Sequence, residues 1–255
     1  MKTHGTIEIY RSKLISQELF WHGFPERHGG VSDGPRSSLN LGFRWGDSEE
    51  NVFQNRRLIA EHVGFKYEDL TVTKHVHGVD VWTVGEPLPD PPEFDGMVST
   101  KQGAVLGAFA ADCVPMVLAD PEHKVCGAAH SGWRGTVNGI AANMVKAMVD
   151  KGAKTEHIQV ALGPCIGVCC FEVGDEVVQE FETKLGAVDA MVVDGPKKKH
   201  IDLRKALEHQ FLAAGLNPEN IDWSPPCTKC NPERFFSYRR DGQAGGVHMG
   251  YIGLK

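Results

Sequence analysis

The sequence predicts an α/β (α+β) protein built as a single layered domain, with mixed β-sheets flanked by helices. Three observations predict it. Short apolar runs rich in Val, Leu and Ala crowd the middle of the chain, and four segments carry apolar residues at three- and four-residue spacing around them. No internal repeat, low-complexity tract or long linker interrupts the 255 residues, so 1–255 reads as one domain.

Strand patterning falls on residues 6–10, 70–84, 104–110, 114–119, 125–129 and 158–162. Asp47, with Glu50 three positions on, forms a capping arrangement for a helix over 52–63 that Gly64 stops. GEPLPDPPEFDG (85–96) is dense in proline and acid and reads as a loop. In 138–151 the apolar positions Ala141, Met144, Val145 and Met148 predict a second helix, with Gly152 as its C-terminal cap. Val177, Phe181 and Leu185 mark a third. Asp202 caps a fourth, whose Leu203, Leu207 and Phe211 stand four apart before Gly215. The C-terminal FFSYRRDGQAGGVHMGYIGLK alternates and reads as a hairpin turning at Asp241 and Gly242.

A net charge of −6 gives no overall attraction for phosphate backbones, and Lys197 to Lys199 sit in a Gly/Pro-flanked loop, so no nucleic-acid partner is expected. No apolar run approaches the roughly 18 residues that span a bilayer. MKTHGTIEIYRSKLIS has no apolar core followed by a cleavage site, which predicts a cytoplasmic protein without a membrane partner. Seven cysteines, an odd number, favour reduced thiols, metal ligation or catalysis over a disulfide framework.

Three islands put a metal-binding side chain beside small residues at the end of an apolar run: HVHGVDV (75–81), FAADCVPMVLAD (109–120) and GAAHSGWRGT (127–136). A thiolate with two imidazoles is a Zn²⁺ set, and three protein ligands leave a fourth position for water or substrate. His77, Cys113 and His130 are 36 and 17 positions apart, so only the fold can bring them together. Taken singly, each His equally suits a strand end and Cys113 a small core position.

An anionic substrate would need a local cationic pocket. Arg134, where HSGWRGTVNG leads into a helix expected near Asn138, is one source; the alternative pairs it with a carboxylate while Trp133 packs in the core. Arg27 in FPERHGGVSDG, and Arg239 and Arg240 in FFSYRRDG, are others, with solvated surface groups as the alternative. CIGVCC (Cys165, Cys169, Cys170) and CTKC (Cys227, Cys230) remain. A CxxC pair is half of a zinc ribbon or a redox couple, but a second properly spaced pair is missing. Cys126 reads as core.

HGVDV, ADCVPMVLAD, HSGWRGTVNGI, LGPCIG with FEVGDEV, and ERFFSYRRDG occur in the order seen in the YfiH-like family, also called the laccase-domain or polyphenol-oxidase family. ERHGGVS (26–32), SLNLG (38–42) and NRR (55–57) extend the resemblance over nearly the whole chain. Members of that family are regarded as purine nucleoside phosphorylases. The resemblance implies zinc on His77, Cys113 and His130, purine nucleosides and inorganic phosphate as partners, and phosphorolysis of adenosine, inosine, guanosine or methylthioadenosine. Adenosine deamination is attributed to the same site. Together with these readings, Cys113, His130, Asp112 and Arg134 are the catalytic candidates, and Arg27, Asn40, His75, Arg134 and Arg239 the substrate- or phosphate-binding ones.

This sequence departs from the family pattern in three places. His75 replaces the usual Gln two residues before the first zinc His, where it competes as a ligand or tunes the site. Gly245 and Gly246 stand where Gly-Arg often follows RRDG, and Cys230 is unusual. For deamination Asp112 and His75 are the candidate proton carriers. Three other readings stay open: a metal-independent cysteine hydrolase using Cys113 and His130, a nucleoside- or metal-binding regulator, and a copper oxidase. For the last, one His-x-His pair is far short of a multicopper cluster, so copper is disfavoured as the cofactor.

Overall fold

The computed structural model describes residues 5–43, 46–87, 92–186, 190–223 and 226–255. In chain order its strands are β1 (Ile9–Tyr10), β2 (Phe20–Pro25), β3 (Leu70–Val72), β4 (Val81–Thr83), β5 (Gly96–Ser99), β6 (Val105–Ala110) and β7 (Val114–Asp120). There follow β8 (Val125–Ser131), β9 (Gln159–Leu162), β10 (Val192–Asp194), β11 (Lys199–Ile201), β12 (Ile221–Trp223) and β13 (His248–Leu254). The helices are α1 (Glu49–Val63), α2 (Trp133–Val137), α3 (Ile140–Asp150), α4 (Asp175–Leu185), α5 (Leu203–Ala213) and α6 (Tyr238–Asp241). None among the described residues is long and apolar enough to cross a membrane.

Two mixed sheets, ordered β1-β2-β13-β6-β3 and β12-β9-β7-β8-β5-β4, stack face to face, and β10 and β11 form a separate hairpin. Side chains alternate across a strand, and the burial follows that period. Leu106, Ala108 and Ile252 of the first sheet meet Val117, Ala119 and Ala128 of the second in one core. Their neighbours Val105, Met249 and Tyr251 face the other way, onto Ile59 and Ala60 of α1. Met116, Leu118 and Ala129 pack against Ile140, Met144 and Met148 of α3, Phe181 of α4 and Phe211 of α5. The layering is therefore helix, sheet, sheet, helices, in agreement with the predicted fold class.

The structure corrects several expected elements. The run 70–84 is two strands, because the Asp95 carboxylate accepts the N–H groups of Val76, His77 and Gly78 and takes that stretch out of any ladder. His77 adopts φ 62, a left-handed conformation that ends the alternation. The C-terminal segment is not a hairpin. Ser237 caps the short α6 by accepting from Arg240 N, and β13 pairs instead with β2 and β6. Strands β2, β5, β10, β11 and β12 were not anticipated, β5 beginning at the last residue of one segment read as loop and β11 at Lys199 in another. The first helix is capped by Ser48, whose Oγ accepts from Asn51 N, rather than by Asp47. The helix expected over 138–151 begins two residues later: Asn138 ends α2, and Gly139 at φ 92 separates it from α3. Asp202 caps α5 as expected, accepting from Arg204 and Lys205 N.

Candidate metal centre

Sheet register, not proximity in sequence, assembles the three ligand candidates. β7 and β8 pair antiparallel with Val114 opposite Ser131 and Pro115 opposite His130, so Cys113, just before β7, lies beside the end of β8 that carries His130. β5 pairs with the other edge of β8, Gly96 opposite Ala129, which puts Asp95 next to His130. Asp95 Oδ1 accepts from His130 Nδ1 at 2.7 Å, and Asp95 also fastens the backbone on both sides of His77. One buried carboxylate thus sets the ring orientation of one histidine and the loop that carries another.

The ligand atoms of His77, Cys113 and His130 all lie within 4.8 Å of one another, with His77 Nε2 4.0 Å from Cys113 Sγ. Because His130 Nδ1 is engaged by Asp95, Nε2 is left as its metal-facing nitrogen, the usual carboxylate–histidine arrangement at zinc. Gly132 makes room: a Cβ there would stand 2.7 Å from His77 Cδ2 and 3.1 Å from Cys113 Sγ. Burial opposes ionisation of the Cys113 thiol, but the His130 and His77 imidazoles outweigh it and bring the thiol down to about 6. Burial likewise opposes a charged His130, and the Cys113 sulfur and Asp95 outweigh it, raising the imidazole to about 9. A soft sulfur and two oriented imidazoles at this separation fit a zinc ion with one position left open.

The trio opens onto a cavity of about 710 Å³, within the range of small-molecule sites. Phe109, Phe171 and Tyr238 give it flat apolar walls, and Arg56 and Arg239 bring positive charge. Arg56 lies between Phe43 and Phe109, its guanidinium carbon 4.4 and 4.6 Å from the two ring centroids, while its Nε donates to Leu41 O. Burial lowers its affinity for the proton to about 10, which still leaves it a cation at neutral pH.

The expected residues divide. His75 lines the cavity, stacked on His130 with centroids 4.8 Å apart, but His77 and not His75 belongs to the ligand group. Arg239 lines it too, over the Phe171 ring and donating to Glu172 O. Asp112 is present at φ 87, but one carboxylate oxygen accepts from Thr228 Oγ1 and the other from Arg239 N, both at 2.6 Å. Each carboxylate oxygen thus already accepts one hydrogen bond, and through them Asp112 ties the Thr228 hydroxyl to the backbone of Arg239. Asn40 does not reach the cavity. It is buried and ties the wall residues Gly42 and Val247 to Asp47.

Arg27 and Arg134 are also outside. Arg27 donates to the carbonyls of Ser37, Pro232 and Pro35 and stacks on Phe236. Arg134 is exposed on the five-residue α2, its guanidinium carbon 4.3 Å from the centroid of its neighbour Trp133. The longer helix expected to start near Asn138 begins at Ile140, and Arg134 lies on the separate α2 before it. Asp95 and Arg56 are the residues missed. Asp95 was hidden in a loop-like acidic segment, and Arg56 was noted only as part of NRR.

Two further groups of potential ligands occur among the described residues. In Asp120, His123 and His157 the carboxylate is taken up by the N–H groups of Glu122, His123 and Lys154, a turn staple between β7 and β8. The other is formed by Cys169, Cys170, Cys227 and Cys230.

Residues 21–255 match the family model described as multi-copper polyphenol oxidoreductase laccase. A Mus musculus protein named purine nucleoside phosphorylase is 39% identical over 98% of this chain, which spans 59% of that protein's length. The purine nucleoside phosphorylase YlmD of Geobacillus stearothermophilus is 37% identical over 91% of this chain and 89% of its own. The crystal structure of YlmD from that organism superposes with a TM-score of 0.87, covering 96% of this chain and 94% of the other at 33% identity. A protein from an unknown prokaryotic organism, named adenosine deaminase, is 38% identical over 82% of this chain and 84% of its own.

Proposed function

The chain belongs to the multi-copper polyphenol oxidoreductase laccase family, and from that premise we propose that it is a zinc-dependent purine nucleoside phosphorylase. The observation that carries the reading is the convergence of His77, Cys113 and His130 at one end of a flat-walled cavity that also holds Arg56 and Arg239. Relatives named purine nucleoside phosphorylase support it. Both sheets contribute to the cavity, which supports treating 1–255 as one functional domain.

In phosphorolysis an oxygen of hydrogen phosphate bonds to C1′ as the C1′–N9 bond breaks, and that electron pair passes to the purine. The proton of hydrogen phosphate ends on the base, giving free purine and ribose 1-phosphate. Little covalent help is needed, so positioning and charge stabilisation carry the rate. Phe109, Phe171 and Tyr238 offer faces for the purine to pack against. Arg56 and Arg239 attract the phosphate, and the Asp112 carboxylate holds the backbone of Arg239 in place. Asp95 keeps His130 and the His77 loop oriented. Zinc, held by His77, Cys113 and His130, would supply Lewis acidity toward a phosphate or water oxygen.

A second reading is deamination, in which water replaces the purine 6-amino group and ammonia leaves. It is favoured by the ligand trio with its open position and by the relative named adenosine deaminase. Purified protein is incubated with adenosine, with and without phosphate, and the products are separated. Adenine plus ribose 1-phosphate, formed only with phosphate, supports phosphorolysis; inosine supports deamination. No product would favour a binding protein. Activity that survives chelation but not thiol alkylation would favour the cysteine hydrolase.

A further inference from the structure

The fold gathers four cysteines the proposed reaction does not use. Cys169 and Cys170 come from the loop between β9 and α4, and Cys227 and Cys230 from the segment between β12 and α6. All four sulfurs lie within 4.8 Å of one another. Cys170 Sγ is 3.3 Å and Cys169 Sγ 3.7 Å from Cys230 Sγ. Four thiolates bonded tetrahedrally to zinc at about 2.3 Å are about 3.8 Å apart, while a disulfide requires about 2.05 Å. The 3.7 Å separation is close to an edge of such a tetrahedron, the 3.3 Å one is shorter, and both are far beyond the length of a disulfide bond.

The surroundings are built for it. Cys227 Sγ receives the backbone N–H groups of Gly167 and Cys230, donors that stabilise a sulfur anion. At Gly167 a Cβ would stand 3.0 Å from Cys227 Cβ and 3.2 Å from Cys169 Sγ, so the loop packs tightly against the cluster there. The Arg204 guanidinium, bonded to the neighbouring Cys165 sulfur, adds positive charge facing Cys227.

We propose that Cys169, Cys170, Cys227 and Cys230 form a second, structural zinc site, closed by four thiolates and separate from the His77, Cys113 and His130 centre. Its task is to clamp together two loops that wall the cavity. The first loop carries Ile166 and Phe171. The second carries Thr228, whose hydroxyl donates to Asp112, and leads on to Tyr238 and Arg239. Spacing did not reveal the site because its halves are an adjacent pair and a CxxC, not two CxxC knuckles.

The test is zinc content by mass spectrometry of protein purified without chelator under reducing conditions, comparing the unsubstituted chain with Cys169→Ser/Cys230→Ser. Both cysteines are exposed, so the substitutions disturb no core packing. The expected result is a loss of one zinc per chain, and with cobalt in place of zinc, loss of the tetrathiolate charge-transfer absorption. That difference is independent of the first centre: if His77, Cys113 and His130 bind nothing, the count falls from one to zero instead of from two to one. If the double variant does not fold, Cys230→Ser alone should release one zinc to a chelator faster than the unsubstituted chain. Unchanged zinc content and release, or a disulfide within the tetrad of freshly isolated protein, would overturn the proposal.

Discussion

Replacing Asp95 by Asn changes almost no volume, yet it strikes the group on which the metal centre is hung. Oδ1 accepts from His130 Nδ1 and His77 N, and Oδ2 from Val76 N and Gly78 N. Whichever oxygen becomes an amide NH₂ then faces two donors and loses both bonds. Hydrogen bonds to a charged group contribute about 1.5–3 kcal/mol each, so two cost about 3–6 kcal/mol. At roughly 2 °C per kcal/mol for a chain of this size, the metal-free protein should melt at least about 6 °C lower. If instead His130 turns its proton to Nε2 to satisfy the new amide, the nitrogen meant for the metal is blocked. In either arrangement zinc affinity should fall by about 10- to 100-fold. Thermal unfolding of the metal-free protein and a competition titration against a zinc chelator read the two effects separately. An Asp95→Asn variant with unchanged melting temperature and unchanged zinc affinity would refute the organising role given to Asp95.

Other outcomes follow from the same geometry. Arg56→Met keeps a linear side chain between Phe43 and Phe109 but removes the cation, so the KM for phosphate in adenosine phosphorolysis should rise about 10- to 100-fold, the equivalent of a lost charge-assisted hydrogen bond; an unchanged KM contradicts it. Gly132→Ala places a methyl 2.7 Å from His77 Cδ2 and should weaken zinc binding about tenfold or more, read by the same competition titration. Buried His248 bonds to Pro164 O and meets the edge of the Phe235 ring, and burial lowers its affinity for the proton from 6.5 to about 4. The unfolded chain therefore binds more protons between those values, and stability should decline as pH falls from about 6.5 to about 4, by up to about 3 kcal/mol. Urea unfolding across that window should show the slope, and His248→Gln should flatten it.

Much of this molecule was legible before its structure. His77, Cys113 and His130 stood out because each ends an apolar run beside a small residue, and β7 and β8 do run as read, which places their ends together. The helices were legible where a cap and a four-residue period coincide, as at Asp202 with Leu203, Leu207 and Phe211. Two of the larger failures share one cause: long-range hydrogen bonds that overrule local pattern. Residues 70–84 alternate like one strand, but Asp95, far along the chain, withdraws their N–H groups. The C-terminal segment alternates like a hairpin, but Asp112 binds Arg239 N, and the edges of β2 and β6 claim β13. Arginines divided for a similar reason. Nothing local distinguishes Arg27, consumed by three carbonyls, from Arg56, which faces the cavity.

Anomalous diffraction recorded on either side of the zinc absorption edge, from crystals grown without added metal, tests the metal centre most directly. The account predicts a zinc peak within bonding distance of His77 Nε2, Cys113 Sγ and His130 Nε2. A map with no peak at those three atoms, or a peak there that belongs to copper, would contradict it.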